Sequence, residues 1–366
     1  MNFAGTIKQL LVISTLLFIS AVSAEEEKVI NFYNWADYIG PDTIANFEKE
    51  YGIKVNYDIY DTTNIVDAKL LAGNSGYDVI LHSAAFSPRL INADVFQPLD
   101  KSKLDNWRHL DSELMNKLAA FDPGNRYGAP YMWGTTGISF NVDMLKERIP
   151  EVSLDNADFF FDEKVLARLA DCGVSLFDGP SDTLPTFMIY LGHDANSIEA
   201  THLKEVENLI HSLRPHIKYF SSGKMLIDMP NGEICAAMSW SGDYAVAKRR
   251  AEEAGIDINI GYAMPTKGVH VWFDILLIPA DAPHPENAHL LINYLMRPDV
   301  VAAISNFTGY ANGNKAATPL LDRKIKDDPG IYPDDSIKKK LQPVLMYPPK
   351  KERIRSRTWT RVKTGV

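Results

Sequence analysis

Residues 29–40, V-I-N-F-Y-N-W-A-D-Y-I-G, begin as a β-strand and end as a candidate binding loop. The first half is rich in β-branched and aromatic residues, which are typical of strands. The second half places Trp35, Asp37 and Tyr38 where the strand turns into a loop. Ligands bind at the carboxyl ends of strands in open α/β sheets, and a carboxylate between aromatic rings suits a positively charged ligand. Packing of both rings in a core is the alternative interpretation.

The segment around this stretch alternates strand and helix patterns. Helical periodicity predicts helices over 41–51 and 61–72, and apolar alternation predicts strands over 53–59 and 77–81. A β-α-β-α-β start implies a parallel sheet covered by helices on both faces. A chain of 366 residues is longer than a typical single core, so we expect an α/β protein with two lobes.

The first 24 residues have the pattern of a secretory signal peptide. Lys8 supplies a positive charge, and residues 10–22 are apolar but too few to span a bilayer. Val22-Ser23-Ala24 resembles a cleavage site. We therefore expect an exported chain that begins at Glu25, with a retained membrane anchor as the alternative.

The charge of the exported chain is acidic. Residues 25–366 contain 37 Lys or Arg and 47 Asp or Glu. This balance disfavours nucleic acid and anionic lipid as partners, and it suits a cationic ligand. The segment from Lys338 onward is basic, which is most simply interpreted as a solvated surface.

Cys172 and Cys235 are the only cysteines of the chain. In an exported protein an even number of cysteines indicates a disulfide bond. Their spacing excludes a C-x-x-C redox motif, and no second Cys/His pair completes a zinc site. We therefore expect a Cys172–Cys235 disulfide and no metal site.

Six clusters at the ends of predicted elements share the same residue types. Each combines an aromatic or hydroxyl residue, a carboxylate, or both, and none contains the Arg expected in a site for an anionic ligand. The helix after the fourth cluster is predicted to begin at Ala245. The clusters are residues 35–38, 82–83, 181–182, 240–243, 272–274 and 307–310.

Six further motifs are specific enough to indicate a family. They are N-W-A-D-Y-I (34–39), V-F-Q-P-L-D-K-S-K-L (95–104), P-Y-M-W-G-T-T-G-I (130–138), S-W-S-G-D (239–243), Y-L-M-R-P-D-V-V-A (294–302) and A-N-G-N-K-A-A-T-P-L (311–320). At these motifs, and over essentially the whole exported chain, the sequence resembles the periplasmic polyamine-binding proteins of bacterial ABC transporters, the putrescine- and spermidine-binding type. The resemblance implies a periplasmic binding protein type II fold, in which each of two α/β lobes has a mainly parallel sheet flanked by helices. It also implies a ligand cleft between the lobes, which are expected to close by a hinge.

The resemblance also implies boundaries, partners and a ligand set. Lobe one is expected at 25–133 plus 261–304, and lobe two at 134–260 plus 305–366. A monomer in the periplasm, without a cofactor, is expected to bind a polyamine and to deliver it to an inner-membrane ABC permease, with no role for nucleic acid. The implied ligand-binding residues are Trp35, Ala36, Asp37, Tyr38, Ser83, Asp182, Trp240, Asp243, Trp272, Asp274 and Tyr310.

Three members of this ligand set differ from the putrescine-binding proteins of the family. Those proteins have Ser, Glu and Phe where this chain has Ala36, Asp182 and Trp272, which leaves the preferred polyamine open. Structural interpretations also remain: Asp37 as a charge before a helix, Ser83 in a turn, Asp182 as a helix cap and Tyr310 in packing.

Two other functions use the same residues. A polyamine sensor would have the same fold and report to a membrane receptor instead of a permease. A hydrolase could use paired carboxylates as acid and base, but the sequence contains no G-x-S-x-G, H-E-x-x-H or P-loop motif. We therefore expect a binding protein and not an enzyme.

Overall fold

The computed structural model describes residues 26–60 and 62–365. The predicted signal peptide and the cleavage site before Glu25 lie outside the described residues. Within the described part, no helix is both long enough and apolar enough to cross a membrane.

The described part contains twelve strands in one mixed sheet. The main order is β2-β1-β3-β10-β5-β8-β6-β7, while β9 and β11 pair with β5, and β4 and β12 pair with β10. The strands are β1 (Val29–Trp35), β2 (Lys54–Tyr60), β3 (Val79–Ser83), β4 (Phe96–Gln97), β5 (Ala129–Asn141), β6 (Val174–Leu176), β7 (Tyr219–Phe220), β8 (Ala236–Trp240), β9 (Ile260–Ala263), β10 (Val269–Pro279), β11 (Ala311–Asn312) and β12 (Leu341–Pro343).

Fifteen α-helices accompany these strands in the described residues. They are α1 (Thr43–Tyr51), α2 (Thr63–Leu71), α3 (Ser87–Ile91), α4 (Ser112–Leu118), α5 (Val142–Arg148), α6 (Glu163–Arg168), α7 (Pro180–Leu191), α8 (Ala200–Leu213), α9 (Met225–Asp228), α10 (Ser241–Glu253), α11 (Pro285–Leu295), α12 (Pro298–Thr308), α13 (Arg323–Lys326), α14 (Asp335–Lys338) and α15 (Pro349–Thr364).

The predicted α/β start of the chain is confirmed. Strand β1 lies between β2 and β3 and is parallel to both. Helix α1 ends at Gly52, whose φ of 65° is a left-handed conformation that glycine adopts without strain. The local pattern of apolar residues therefore identified these elements to within a few residues.

Two long strands, β5 and β10, join the halves of this two-lobed α/β fold. Strand β10 is antiparallel to β3 through residues 274–277 and antiparallel to β5 through residues 270–276. Strand β5 then continues along β8 through residues 136–140. Parallel groups of strands flank this pair on both sides, with β2, β1 and β3 on one side and β8, β6 and β7 on the other.

The predicted division between the lobes stays a prediction, but the structure shows how its segments pair. Strand β9, which we assigned to lobe one from residue 261 onward, pairs with residues 138–141 of β5. Strand β11, assigned to lobe two, pairs with Met132 and Trp133 of β5. The predicted boundaries at 133/134 and 260/261 therefore fall within paired strands, and the boundary at 304/305 falls within α12.

The predicted disulfide is confirmed. Cys172 and Cys235 are bonded, with their Cα atoms 5.5 Å apart. Cys172 follows α6 and Cys235 immediately precedes β8, so the bond fastens the end of this helix to the sheet beside β8. Both residues belong to an apolar core that includes Phe160, Phe187 and Trp359.

The expectation that the basic C-terminal segment is simply a solvated surface is wrong for α15. Its Arg355, Thr358, Trp359 and Val362 are buried, although the overall composition of the helix is strongly polar. The Arg355 guanidinium donates a hydrogen bond to the carbonyl oxygen of Ala195 at 3.1 Å. One side of the helix therefore belongs to the same apolar core as the two cysteines.

Candidate functional site

The element ends predicted to hold the site converge on the middle of β10. Trp272 and Asp274 are two residues apart on this strand, so their side chains point to the same face. Asp274 is paired with Ser83 at the end of β3. Strand β8 ends at Trp240 and leads directly into α10. The site therefore forms where the two long central strands meet strand ends of both halves.

Asp274 is half-buried and accepts a hydrogen bond from the hydroxyl of Tyr38 at 2.9 Å. Burial raises the pKa of Asp274 to about 6, although the Tyr38 hydrogen bond and the nearby His82 both lower it. The Tyr38 ring is itself buried, and its backbone carbonyl accepts a hydrogen bond from the Tyr131 hydroxyl at 2.7 Å. Asp274 is thus a fixed carboxylate whose ionised form is costly without a cation.

His82 supports Asp274 from within the core. Its Nδ1 lies 2.9 Å from the carbonyl oxygen of Ser83, and its Nε2 lies 3.0 Å from Asp67 Oδ1. Asp67 also pairs with Arg89. These contacts fix the buried His82 ring near Asp274, whose pKa it lowers.

Asp243 is the second carboxylate of the site, and it is buried. It lies in the first turn of α10, where the helix dipole favours a negative charge, and only 8% of it is exposed. The hydroxyl of Tyr310 donates to its Oδ1 at 3.1 Å. Burial nevertheless raises the pKa of Asp243 to about 7.

The rings of the two tyrosines connect these carboxylates. Tyr38 and Tyr310 meet edge to face, with ring centroids 4.9 Å apart, and the Trp272 ring lies 5.7 Å from that of Tyr310. Asp274, Tyr38, Tyr310 and Asp243 therefore form a continuous chain, with a carboxylate at each end and aromatic rings between. Such a chain matches a ligand that has ammonium groups separated by methylenes.

Two glycines that we did not assign to the site make room for its rings. A Cβ on Gly242 would lie 1.9 Å from Cε1 of Tyr310, and a Cβ on Gly134 would lie 2.3 Å from Cζ2 of Trp272. Gly134 is paired with Trp272 across β5 and β10. A signal for them was present in the sequence, because Gly134 lies in the motif of residues 130–138 and Gly242 in the motif of residues 239–243.

Asp182 forms a third polar centre, in the first turn of α7. Its Oδ1 accepts from Trp240 Nε1 at 3.0 Å and from Thr136 Oγ1 at 3.4 Å. It also lies 3.5 Å from Nδ1 of His270, whose pKa is lowered mainly by burial. Thr136 and His270 were not among the predicted site residues, because they lie on β5 and β10 and neither belongs to one of the six clusters.

Four predicted site residues have weaker links to this arrangement. The half-buried Trp35 packs against Tyr60, with their ring centroids 4.3 Å apart. Ala36 and Ser83 are half-buried, and Asp37 is exposed with a left-handed φ of 54°. The structure brings Asp182 and Trp240, Asp243 and Tyr310, and Tyr38 and Asp274 into direct contact, and Trp272 joins them through Tyr310. Their role in binding a ligand stays a prediction.

The carboxylates of Asp243 and Asp274 have no basic side chain as an ion-pair partner among the residues described. Neither Asp243 nor Asp274 has Lys, Arg or His within ion-pair distance in residues 26–60 and 62–365. The same residues contain no group of three or more Asp, Glu, His or Cys that could hold a metal ion. The arrangement is therefore suited to an organic cation that is neutralised by carboxylates and covered by rings.

Three comparisons with known proteins identify the family of this chain. The family model of bacterial extracellular solute-binding proteins matches residues 42–333. The chain is 45% identical over 344 residues to the putrescine-binding periplasmic protein PotF of Escherichia coli K12, covering 93% of each. It is 33% identical over 319 residues to the spermidine/putrescine-binding periplasmic protein of the same organism, covering 87% of each.

The fold of this chain is also similar to that of a solved structure. The spermidine/putrescine ABC transporter substrate-binding protein PotD of Streptococcus pneumoniae superposes with a TM-score of 0.82 at 27% identity, covering 92% of this chain and 98% of that one. The resemblance drawn from the motifs is thereby confirmed. The chain belongs to the family of bacterial extracellular solute-binding proteins, and within it to the periplasmic polyamine-binding proteins of ABC transporters.

Proposed function

We propose that this chain captures a linear polyamine, putrescine or spermidine, in the periplasm and delivers it to an ABC permease of the inner membrane. The main support for the proposal is the series of contacts from Asp274 through Tyr38 and Tyr310 to Asp243. It offers two carboxylates and an aromatic path between them, which is the complement of a diammonium chain. The names of the most similar relatives point to the same ligand class.

The position of the carboxylates also suggests how binding is coupled to lobe closure. Asp274 lies on β10 and Tyr38 lies between β1 and α1, whereas Asp243 begins α10 beyond β8. A dication that contacts Asp274 and Asp243 together joins the two halves. Because it has more partners when the halves are closed, it binds the closed form more tightly, which is the condition for ligand-driven closure.

The proposal assigns the carboxylates to binding alone. A general acid or base requires a bond to break, and a saturated polyamine between two carboxylates and aromatic rings presents none that these groups would cleave. Polyamine that is incubated with the protein should therefore be recovered unchanged. Release of any product would favour the hydrolase alternative.

Calorimetry on the mature protein, freed of bound polyamine by unfolding and refolding, tests the proposal. Putrescine and spermidine should bind, and basic amino acids and sugars should not. Asp243→Asn and Asp274→Asn should each weaken binding by about 2–5 kcal/mol, the scale for removing one partner of a buried charge pair.

Asp257→Asn is the matched control, because Asp257 is exposed and the substitution changes the net charge equally. Its affinity should equal that of the wild type. If both cleft variants also bind within a few-fold of the wild type, the two buried carboxylates do not hold the ligand and the proposal fails.

A further inference from the structure

The charge of this chain is divided unevenly along the sequence. Residues 338–366 contain ten Lys or Arg and one Glu, whereas the other 337 residues contain 28 Lys or Arg and 46 Asp or Glu. The net charge of −9 for the whole chain therefore conceals a strongly basic C-terminal segment. An argument from net charge, which spoke against anionic lipid as a partner, does not apply to such a segment.

Helix α15 holds much of this charge in a fixed place on lobe two. Its Trp359 ring meets that of Phe220 edge to face at 5.7 Å, and its Val362 is completely buried. Arg214 donates to the carbonyl oxygen of Lys363 at 2.8 Å near the end of the helix. The helix is therefore anchored by its apolar side, and its opposite side is presented to solvent as a rigid surface.

Lys350, Arg353 and Arg357 form the basic face of α15. They are three and four residues apart, so they lie on one side of the helix, and all three are exposed. Among the residues that the structure describes, none of their three side chains forms an ion pair or a hydrogen bond. The neighbouring Arg361 differs, because it pairs with Glu207 at 2.7 Å.

We propose that this basic face is a docking surface for an anionic phospholipid membrane. Three long, unpaired basic side chains without a shaped pocket suit a fluid layer of phosphate groups, where each basic residue contributes about 1 kcal/mol. The acidic residues elsewhere are screened beyond roughly 8 Å at physiological salt. Since lobe two already covers the apolar side of α15, the contact is electrostatic and does not insert the helix into the bilayer.

Such a contact goes beyond polyamine capture and does not depend on it. It would turn lobe two toward the membrane and raise the concentration of the protein where a permease resides. The interaction would be short-lived, because three charges give a weak and salt-sensitive attraction. That suits a carrier that must also leave the membrane.

Co-sedimentation with lipid vesicles tests the proposal on the mature protein without polyamine. The protein should sediment with vesicles of phosphatidylcholine and phosphatidylglycerol at physiological salt, and not with phosphatidylcholine alone. Binding should disappear near 1 M salt, where the Debye length falls to about 3 Å. The triple variant Lys350→Glu, Arg353→Glu, Arg357→Glu should bind the anionic vesicles at least about tenfold more weakly.

A second triple variant, Lys49→Glu, Lys164→Glu, Lys324→Glu, is the matched control, because it changes the net charge equally at exposed sites elsewhere. It should retain vesicle binding, and both variants should keep the wild-type polyamine affinity as proof of folding. Equal loss in both variants, or equal sedimentation with neutral vesicles, would overturn the proposal. The proposal would also be overturned if the wild type did not sediment with anionic vesicles while only the first variant reduced polyamine uptake by cells. The partner of the basic face would then be an acidic protein surface.

Discussion

The hydroxyl of Tyr310 donates a hydrogen bond to Oδ1 of Asp243 at 3.1 Å. The tyrosine follows α12 and the aspartate begins α10, so 67 residues separate them in the sequence. The bond lowers the pKa of Asp243 against the larger effect of burial, which raises it. Tyr310 is therefore placed to hold Asp243 in the ionised form that a cation requires.

Tyr310→Phe should weaken polyamine binding by about 1.5–3 kcal/mol, the scale of a hydrogen bond to a charged group. The ring remains, so its contacts with Tyr38 and Trp272 should persist. Tyr219→Phe is the control, because Tyr219 donates a similar bond to Asp228 at 2.7 Å away from the predicted site. Calorimetry should show lost affinity only for the first variant, and equal affinity in both would contradict this role of Tyr310.

Polyamine affinity should fall as the pH is lowered from 8 to 5.5. The pKa of Asp243 is raised to about 7 and that of Asp274 to about 6, so both become protonated over this range and stop attracting an ammonium group. Together these two pKa values predict that polyamine affinity at pH 5.5 is roughly 100-fold lower than at pH 8. Calorimetry in buffers of different ionisation enthalpy should also detect proton release on binding near pH 6–7. An affinity that does not change with pH would show that these carboxylates do not hold the ligand.

The same pKa shifts have the opposite effect on the unliganded fold. Both carboxyls bind protons more tightly in the folded protein than an aspartate with the ordinary pKa of 3.8 does. Their contribution to the free energy of unfolding is therefore present at low pH and is lost as the pH rises from about 4 to about 7. Asp243→Asn should raise the melting temperature of the unliganded protein at pH 8 while it reduces affinity. A lower melting temperature would mean that Asp243 stabilises the empty site.

Gly242→Ala should reduce both affinity and stability. The added Cβ would lie 1.9 Å from the Tyr310 ring, so the ring must move away from Asp243. Overpacking of this kind costs about 1–3 kcal/mol. Gly223→Ala is the control, because nothing lies within 4 Å of its added Cβ. If Gly242→Ala had the melting temperature and the polyamine affinity of the wild type, the position of the Tyr310 ring would not matter for either.

Spermidine should bind at least as tightly as putrescine. Trp272 offers a larger ring face than Phe, while Asp182 is one methylene shorter than Glu and Ala36 lacks the hydroxyl of Ser, so a short diamine loses contacts that a longer chain can replace. The triple variant Ala36→Ser, Asp182→Glu, Trp272→Phe should shift the preference toward putrescine. Calorimetry with both ligands at one pH and salt decides it. Wild-type binding of putrescine more than tenfold tighter, about 1.4 kcal/mol, would contradict this interpretation.

The sequence alone determined what depends on local pattern. The strands and helices between residues 29 and 83, the disulfide and the clusters of aromatic and acidic residues followed from residue types and spacing. The helix after Trp240 was predicted to begin at Ala245 but begins at Ser241. Periodicity could not detect the first turn, which contains Gly242 and the carboxylate of the site. The position of Asp243 at a helix start was therefore missed.

Only the tertiary structure decided which side chains meet. Tyr38 and Asp274 are 236 residues apart, yet they share a hydrogen bond because β10 lies beside β3 in the sheet. His270 and Thr136 reach Asp182 from strands that no local motif connects to it, and Arg355 is buried within a segment of basic composition. Periodicity describes which face of one element is apolar. The pairing of distant elements fixes which polar groups then share a buried space, and that pairing places the two carboxylates at opposite ends of the aromatic path.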